Sequence, residues 1–383
     1  MWRLNSIVTS AWLLACSQVT AAELTRFPIG GSGIPSAIRV GRAGLAHTGM
    51  IVGAEAGQGA SGISGVAAQL GAIARHYGST LADVAKLNLY VAEPQPGLIR
   101  RIETEIEQAW SREACPTLTL IPSPIPGGAS VAADAVIAVP MNDDAVTRFG
   151  NKASVMPPGR DILYVSGRVG SGALAQATTE TMRQLFDVLA HLGSTPSDVV
   201  QVKAFIQPMS LWETVQLEID RAFGDVSSPP VVYVAWTSPS RAIEIELIAA
   251  APDRQKKEMT VSYITPPGDQ ASPVYSRVAR VHAGELIYIG GIAAREAAPP
   301  EGEVRAVLDE LRRVAEAAGS NLNHLAKATY YVSGRPASQM LNQLRPEYYP
   351  PTRPPAASKI TVATIGIPDR TLLVDMVAVP VGQ

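Results

Sequence analysis

A 16-residue pattern occurs three times in the chain, and this repeat limits the folds that the sequence can adopt. The copies are HYGSTLADVAKLNLYV at 76–91, HLGSTPSDVVQVKAFI at 191–206 and AAGSNLNHLAKATYYV at 317–332. Each contains a glycine directly after a helical pattern, Gly78, Gly193 or Gly319, where the left-handed conformation that ends a helix favours glycine. The spacing of these glycines predicts three structural units of about 115 to 126 residues.

Each unit shows the same order of predicted elements. A hairpin ends in a short apolar strand, as in GLAHTGMIVG at 44–53, and an amphipathic helix follows with Ile63, Val66 and Leu70 on one face. The glycine turn, a strand, a second helix and two further strands complete the unit. In the third unit we expect Pro346 to end the second helix early. This order predicts an α+β fold with two helices on one face of each sheet.

The opposite face of each sheet must also be covered. In AIEIELIA, the alternation of a strand places Glu244 and Glu246 on the face that points away from the helices. A semi-polar face of this kind can close against the matching faces of the other two units. The sequence therefore predicts that one chain contains three units around a pseudo-threefold axis. A chain of this kind is expected to be a monomer.

Charge and composition narrow the classes of partner. Hydrophobic residues make up 46% of the chain and charged residues 17%, which is typical of a packed protein, and the net charge of −2 comes without a dense Lys/Arg tract. These features argue against nucleic-acid binding. The five histidines lack metal-ligand spacing, and the glycine-rich stretches at 30–33 and 57–62 lack a P-loop lysine. We therefore predict neither a metal nor a cofactor.

The first 22 residues have the layout of a secretory signal, with Arg3, an apolar run and small residues. Cleavage before Glu23 would release a soluble periplasmic protein, whereas cleavage at LLAC would leave a lipid anchor on Cys16. Both alternatives predict export. No later segment has the length of a transmembrane span, and the remaining cysteine, Cys115, is interpreted as a small buried hydrophobe. The predicted domains are a signal at 1–22 and units at 23–142, 143–255 and 256–383.

The ordered motifs resemble the Rid family, also called YjgF or UK114. LYVSGRV, LGSTPSDVVQVKAFI and AIEIELIAA carry the resemblance in the middle unit, and IYIGGI and AAGSNLNHLAKATYYV carry it in the third. The first unit is the most diverged. The three matches together cover nearly all of the chain after residue 30. The resemblance implies a chorismate-mutase-like α+β fold, with the family's trimer built here from one chain and a cleft at each boundary between units.

The family resemblance also implies an activity, the hydrolysis of imines and enamines such as 2-aminoacrylate. In the family, an arginine holds the substrate carboxylate and the first glutamate of VEIEA assists the chemistry. Here the arginine position falls on Thr117 or Leu118, on Val231 and on Ala357, so the arginine is missing from all three units. The glutamate position is Ala132, Glu244 and Leu373 in turn, so only the middle unit retains it.

The resemblance gives five candidate site residues, which are Glu244, Lys359, Tyr275, Ser166 and Arg168. Glu244 is the catalytic candidate, with a structural carboxylate as the alternative. Lys359 and Arg168 could each replace the missing cation; a solvated or interface lysine is the alternative for Lys359. Tyr275 and Ser166 occupy positions that line the cleft in the family, and core packing is the alternative for Tyr275.

The predicted function is that of a divergent Rid-type protein, an imine or enamine deaminase-like hydrolase acting on a small carboxylate- or carbonyl-bearing metabolite. Loss of the arginine makes ordinary 2-aminoacrylate deamination a poor fit, because a buried carboxylate without a charged partner loses several kcal/mol. Two alternatives stay open. One is a non-enzymatic module that binds a ligand or another protein, and the other is a lyase or hydrolase similar to chorismatases.

Overall fold

The structure is a computed structural model that describes residues 23–29, 33–54, 61–94, 97–140, 144–252, 260–282 and 284–382. The predicted signal and Cys16 lie outside these residues, so export and lipid attachment stay predictions. Within the described ranges, none of the helices combines the length and the apolar character that a membrane span requires.

Three segments of the chain contain similar series of elements. The first comprises β1 (Leu24–Phe27), β2 (Ala37–Val40), β3 (Gly44–Thr48), β4 (Ile51–Ala54), α1 (Ser61–His76), β5 (Val84–Val91), α2 (Leu98–Trp110), β6 (Thr117–Pro122) and β7 (Val131–Val139). The second comprises β8 (Thr147–Phe149), β9 (Ala153–Met156), β10 (Asp161–Arg168), α3 (Leu174–His191), β11 (Val199–Ile206), α4 (Trp212–Phe223), β12 (Val231–Ala235) and β13 (Ile243–Ala251). The third comprises β14 (Val261–Ile264), β15 (Val278–Val281), β16 (Leu286–Ala293), α5 (Pro300–Ala317), β17 (Leu325–Val332), α6 (Arg335–Tyr348), β18 (Ala356–Thr361) and β19 (Leu372–Ala378).

The glycines of the repeat end helices as predicted. Gly78, Gly193 and Gly319 have φ values of 76°, 79° and 83°, which only glycine adopts without a steric cost from Cβ. The prediction that Pro346 cuts its helix short is wrong, because α6 continues through this proline to Tyr348. Only two residues of the helix follow Pro346, so the missing N–H removes a single bond in the final turn.

The strands form three mixed sheets. Their orders are β6-β5-β7-β3-β9-β8, with β4 also paired to β7; β12-β11-β13-β10-β15-β14; and β1-β2-β16-β19-β17-β18. Two strands of each sheet therefore come from another segment of the chain. β8 and β9 complete the first sheet, β14 and β15 complete the second, and β1 and β2 complete the third.

This strand exchange corrects one expectation. We predicted that each unit opens with a hairpin whose second strand is the apolar strand at 44–53 or its equivalents. Instead, β2 pairs with β16, where Val40 lies opposite Leu286, whereas β3 pairs with β9 and places Leu45 opposite Met156. β8 and β9 pair across the predicted boundary at 142/143, and β14 and β15 pair across the predicted boundary at 255/256. The two boundaries stay predictions.

The three sheets pack around one shared core. Each sheet also has its own helix-facing core, and the shared core draws on all three segments, with Ile38, Leu45, Tyr164, Ile248 and Tyr288 among its buried members. The pseudo-threefold arrangement follows from this shared core, and each lobe supplies one α+β sheet with two helices.

A cycle of ion pairs crosses the three unit boundaries near the axis. Nζ of Lys86 lies 2.7 Å from Asp375, Nζ of Lys203 lies 3.4 Å from Asp134, and Nζ of Lys327 lies 2.7 Å from Glu246. The three acids occupy matching positions in the strand registers, opposite Thr329, Asn88 and Lys203 respectively. They hold the units together, which supports a structural role for this recurring acid.

Candidate active site between the second and third units

The site that we call the second–third cleft lies where β10 and β13 of the second unit meet β18 of the third. Ser166 of β10 connects the two units. Its hydroxyl donates to the carbonyl of Ser276 (2.5 Å) and accepts the N–H of Ala357 (2.7 Å). Ala357 is the position where the family has arginine, so the backbone of this residue is anchored while its side chain carries no charge.

Glu244 is positioned by an irregularity in the pairing of β10 with β13. The register shifts between Val165 and Arg168, and the carboxylate of Glu244 lies against Gly167, where an added Cβ would come within 2.0 Å of its Oε1 atom. Burial raises the pKa of Glu244 to about 8; the Ser358 hydroxyl opposes this shift, and the charge of Glu246 adds to it. At neutral pH this carboxyl group is therefore largely protonated, while both protonation states are accessible.

The matching positions at the other two boundaries carry no acid. Strand registers align Glu244 with Ala132 and Leu373, and they align Ser358 with Thr119 and Val232. Among these boundaries, a proton-transfer group at this position is present only in the second–third cleft.

Lys359 follows Ser358 in β18, and its side chain extends toward α6. Its Nζ atom donates to the carbonyl of Ser338 (3.3 Å) and to Oδ1 of Asn342 (3.0 Å). Burial and the nearby Arg345 guanidinium lower the pKa of Lys359 to about 8. Lys359 therefore loses part of its charge in the mildly alkaline range.

Arg345 is a cation that sequence reasoning missed. The residue is 3% exposed, and its guanidinium donates to the carbonyl of Val274 and to the same Asn342 oxygen that Lys359 contacts. Its guanidinium also lies 4.7 Å from the centre of the Tyr330 ring. Within the described part of the chain, neither Arg345 nor Lys359 has an acidic partner, so two cations meet at one amide oxygen without a balancing charge.

Arg168 and Tyr275 are connected through Asp269 and Arg277. Arg168 makes a two-point ion pair with Asp269, which also lies 3.7 Å from Nε of Arg277. Hydrogen bonding from Arg168 lowers the pKa of Asp269 despite partial burial. Tyr275 packs its ring 5.0 Å from the Arg277 guanidinium. Arg168 is thus already paired with a carboxylate, whereas Lys359 is a partly exposed cation without an acidic partner among the described residues.

A second cavity lies at the boundary between the third and first units, and we call it the third–first cleft. Its volume is about 390 Å³, and its walls include Leu118, Leu120, Leu373, Gly290 and Gly291. By strand register, Leu118, Leu120 and Leu373 match Ala357, Lys359 and Glu244. These three residues line one cavity here, so the pseudo-symmetry places Glu244 and Lys359 on one cleft as well.

The fold defines a class of protein that is built from repeated α+β units. The family model described as Endoribonuclease L-PSP matches residues 152–251 and 269–380, which is more than half of the chain. The chain therefore belongs to this family, the one predicted from the motifs under the names Rid and YjgF. The two matched ranges fall in the second and third segments.

Solved structures similar to this chain each cover about a third of it. NMB1025, a member of the YjgF family from Neisseria meningitidis, is 18% identical, covers 33% of this chain and 100% of its own, and has a TM-score of 0.25. Rv2704 of the YjgF/YER057c/UK114 family from Mycobacterium tuberculosis is 26% identical, with coverage of 28% and 85% and a TM-score of 0.22. YyfB of the Rid family from Yersinia pestis is 20% identical, with coverage of 31% and 98% and a TM-score of 0.29. No curated protein matches the chain.

Proposed function

We propose that the second–third cleft binds a small carboxylate-bearing metabolite and hydrolyses its imine or enamine form, with Glu244 as the acid and base. The observation that carries this proposal is a half-buried carboxyl group that lies against Gly167 and has a pKa of about 8. A general acid and base works best when its pKa lies near the working pH.

The charge distribution suggests how a substrate would be oriented. Lys359 and Arg345 share Asn342 without an acidic partner in the described chain, and a substrate carboxylate would supply the missing negative charge. Charge-assisted bonds of this kind can replace the family arginine, with Lys359 on the same strand as the arginine position and Arg345 on α6. The carbon–nitrogen double bond of the substrate would then face Glu244.

The chemistry requires four proton transfers, and Glu244 can carry all of them. Protonated Glu244 donates its proton to the enamine carbon, which forms an iminium ion. The resulting carboxylate takes a proton from the water that attacks the iminium carbon. Glu244, protonated again, then donates a proton to the nitrogen of the resulting amino alcohol and takes the proton of its hydroxyl group as the carbon–nitrogen bond breaks, so one water is consumed, ammonia leaves and a carbonyl product remains.

The test measures ammonia release from 2-imino acids that an amino-acid oxidase generates in the assay. We expect the rate of ammonia release to be at least about 100-fold lower in the Glu244→Gln variant, because a general acid or base usually accelerates a reaction by at least this factor. The variant should still bind pyruvate, a carboxylate that resembles the product. Glu113→Gln, the same change at an exposed residue, should retain the wild-type rate.

Two results would contradict the enzymatic proposal. One is wild-type protein that binds pyruvate but does not accelerate imine hydrolysis, which would favour the non-enzymatic binding module. The other is unchanged turnover in the Glu244→Gln variant.

A further inference from the structure

The third–first cleft differs in character from the second–third cleft, although the strand registers relate the two. Leucines stand where the second–third cleft has a lysine and a glutamate, and Ile34 and Ile292 lie on the same walls. Closely packed protein interiors leave few voids of this size, and ligand sites commonly measure about 300–1,000 Å³ with mostly apolar walls. The cavity therefore has the size and the lining of a small-molecule site.

One polar group lines this cavity without a partner. Glu103 projects from α2 into the lining and is partly buried. Across the described residues, its carboxylate has neither a hydrogen bond nor an ion pair, although Arg100 lies close enough to favour its charge. Burial, and then the charge of Glu107, raise the pKa of Glu103. An unpaired acid beside an apolar wall has a free-energy cost that a hydrogen-bond donor or a cation would relieve.

The other charged groups of the lining are Arg295 and Glu310, so its net negative charge comes from Glu103. Arg295 lies 3.2 Å from Glu310 at the rim of the cavity, and Glu310 also pairs with Arg313. Arg295 therefore already has an acidic partner, which it shares with Arg313. Its backbone carbonyl and that of Ala294 accept hydrogen bonds from Arg370, which fixes this side of the rim.

We infer that the third–first cleft binds a small apolar amine, with the hydrocarbon part against the leucines and isoleucines and the ammonium group at Glu103. This site is separate from the proposed hydrolytic cleft and does not depend on its activity. The two clefts then select opposite charges, because the second–third cleft presents Lys359 and Arg345 and the third–first cleft presents Glu103. A chain with three non-identical boundaries can make this distinction, whereas a homotrimer repeats one cleft three times.

The test uses three probes of equal length on the full chain, namely hexylamine, hexan-1-ol and hexanoate, with binding measured by calorimetry. We expect hexylamine to bind about tenfold more tightly than hexan-1-ol, which is the scale of one charge-assisted hydrogen bond, and hexanoate to bind most weakly. Glu103→Gln should remove the preference for the amine and leave hexan-1-ol binding unchanged.

Two further variants make the result specific. Glu105→Gln is the matched control, because Glu105 lies on the same helix as Glu103 but is not part of the cavity lining. It should bind hexylamine as the wild type does. Leu120→Lys introduces the cation found at Lys359 and should abolish amine binding while it admits hexanoate.

The inference is overturned if hexan-1-ol binds as tightly as hexylamine, if none of the probes binds, or if the two glutamine variants behave alike. Lys359→Met separates the two clefts, since it should weaken pyruvate binding and leave hexylamine binding unchanged. Loss of imine hydrolysis without loss of amine binding would contradict only the proposed function.

Discussion

Nζ of Lys86 lies 2.7 Å from a carboxylate oxygen of Asp375, and this ion pair joins the first unit to the third. The side chains are 4% and 13% exposed. Although burial opposes ionisation, Lys86 and Thr119 hold the pKa of Asp375 below its ordinary value. The pair therefore stabilises the fold above the pKa of an unfolded aspartate, and this contribution is lost as the pH falls through the lower pKa of the folded state.

We predict that Asp375→Asn lowers the free energy of unfolding by about 3 kcal/mol at pH 7, because it leaves a buried lysine without its partner. Urea denaturation measures this change. Asp187→Asn breaks an ion pair whose side chains are both 66% exposed and should change stability by less than about 0.5 kcal/mol. Equal effects of the two variants would show that the pairs near the axis do not hold the units together.

The strand exchange predicts which pairs of introduced cysteines can form a disulfide bond. In a chain with Cys16→Ser and Cys115→Ala, Val40→Cys and Leu286→Cys should form a disulfide, because these positions lie opposite each other in antiparallel strands. An ordinary hairpin with the same register would instead place Leu45 opposite Val40, and the pair Val40→Cys with Leu45→Cys provides the control. Oxidation followed by non-reducing electrophoresis and mass spectrometry identifies the bond. Cross-linking only in the second pair would refute the exchange.

The raised pKa of Glu244 predicts how stability depends on pH. The folded protein holds this proton more tightly than the unfolded chain, so the contribution is present below the pKa of an unfolded glutamate and is lost as the pH rises toward about 8. Glu244→Gln keeps the group neutral at all pH values. We expect the variant to be more stable than the wild type by about 2–4 kcal/mol at pH 9, with little difference at pH 4.

Thermal or urea unfolding at several pH values tests this dependence, with Glu113→Gln as the exposed control. A stability difference between wild type and Glu244→Gln that stays constant from pH 5 to pH 9 would contradict the pKa assignment.

Contact between Gly167 and Glu244 predicts a coupled pair of substitutions. An alanine Cβ at position 167 would come within 2.0 Å of the Glu244 carboxylate, so Gly167→Ala should cost about 1–3 kcal/mol through overpacking. Truncation of the carboxylate relieves the clash. In a double-mutant cycle we therefore expect Glu244→Ala to recover most of the loss, and additive effects would mean that the two residues do not touch.

The lowered pKa of Lys359 predicts that carboxylate binding weakens with rising pH. Because the lysine loses its charge near pH 8, we expect the affinity for pyruvate to fall several-fold between pH 7 and pH 9.5. Lys359→Met should bind weakly at both pH values. Lys152→Met, at an exposed lysine, should keep the wild-type profile in calorimetry, and an identical loss in both variants would exclude a specific role for Lys359.

The repeat was sufficient to predict the element order and the α+β lobes, because the glycine turns and apolar stripes are local signals. The partner of β2 could not be predicted, since the three residues between Val40 and Gly44 suit either a tight hairpin or a crossing into the next sheet. Only the contacts among all three lobes decide between them.

Arg345 was missed for a related reason. It lies four residues after Leu341 on the buried face of α6, a position where the helical stripe predicts an apolar residue, and it comes directly before a proline. A charged residue within an otherwise apolar stripe is the signal that could have found it. The apolar third–first cleft could have been found by aligning the units with one another. Leucines in this cleft occupy positions where another unit has polar residues.

The position of β1 and β2 has a consequence for synthesis in the cell. These strands are synthesised well before β16 and β19, which belong to the same sheet. Until those strands are made, the edge of the paired strands β1 and β2 has no partner strand. A chaperone that shields such edges would extend the time available for the three units to assemble.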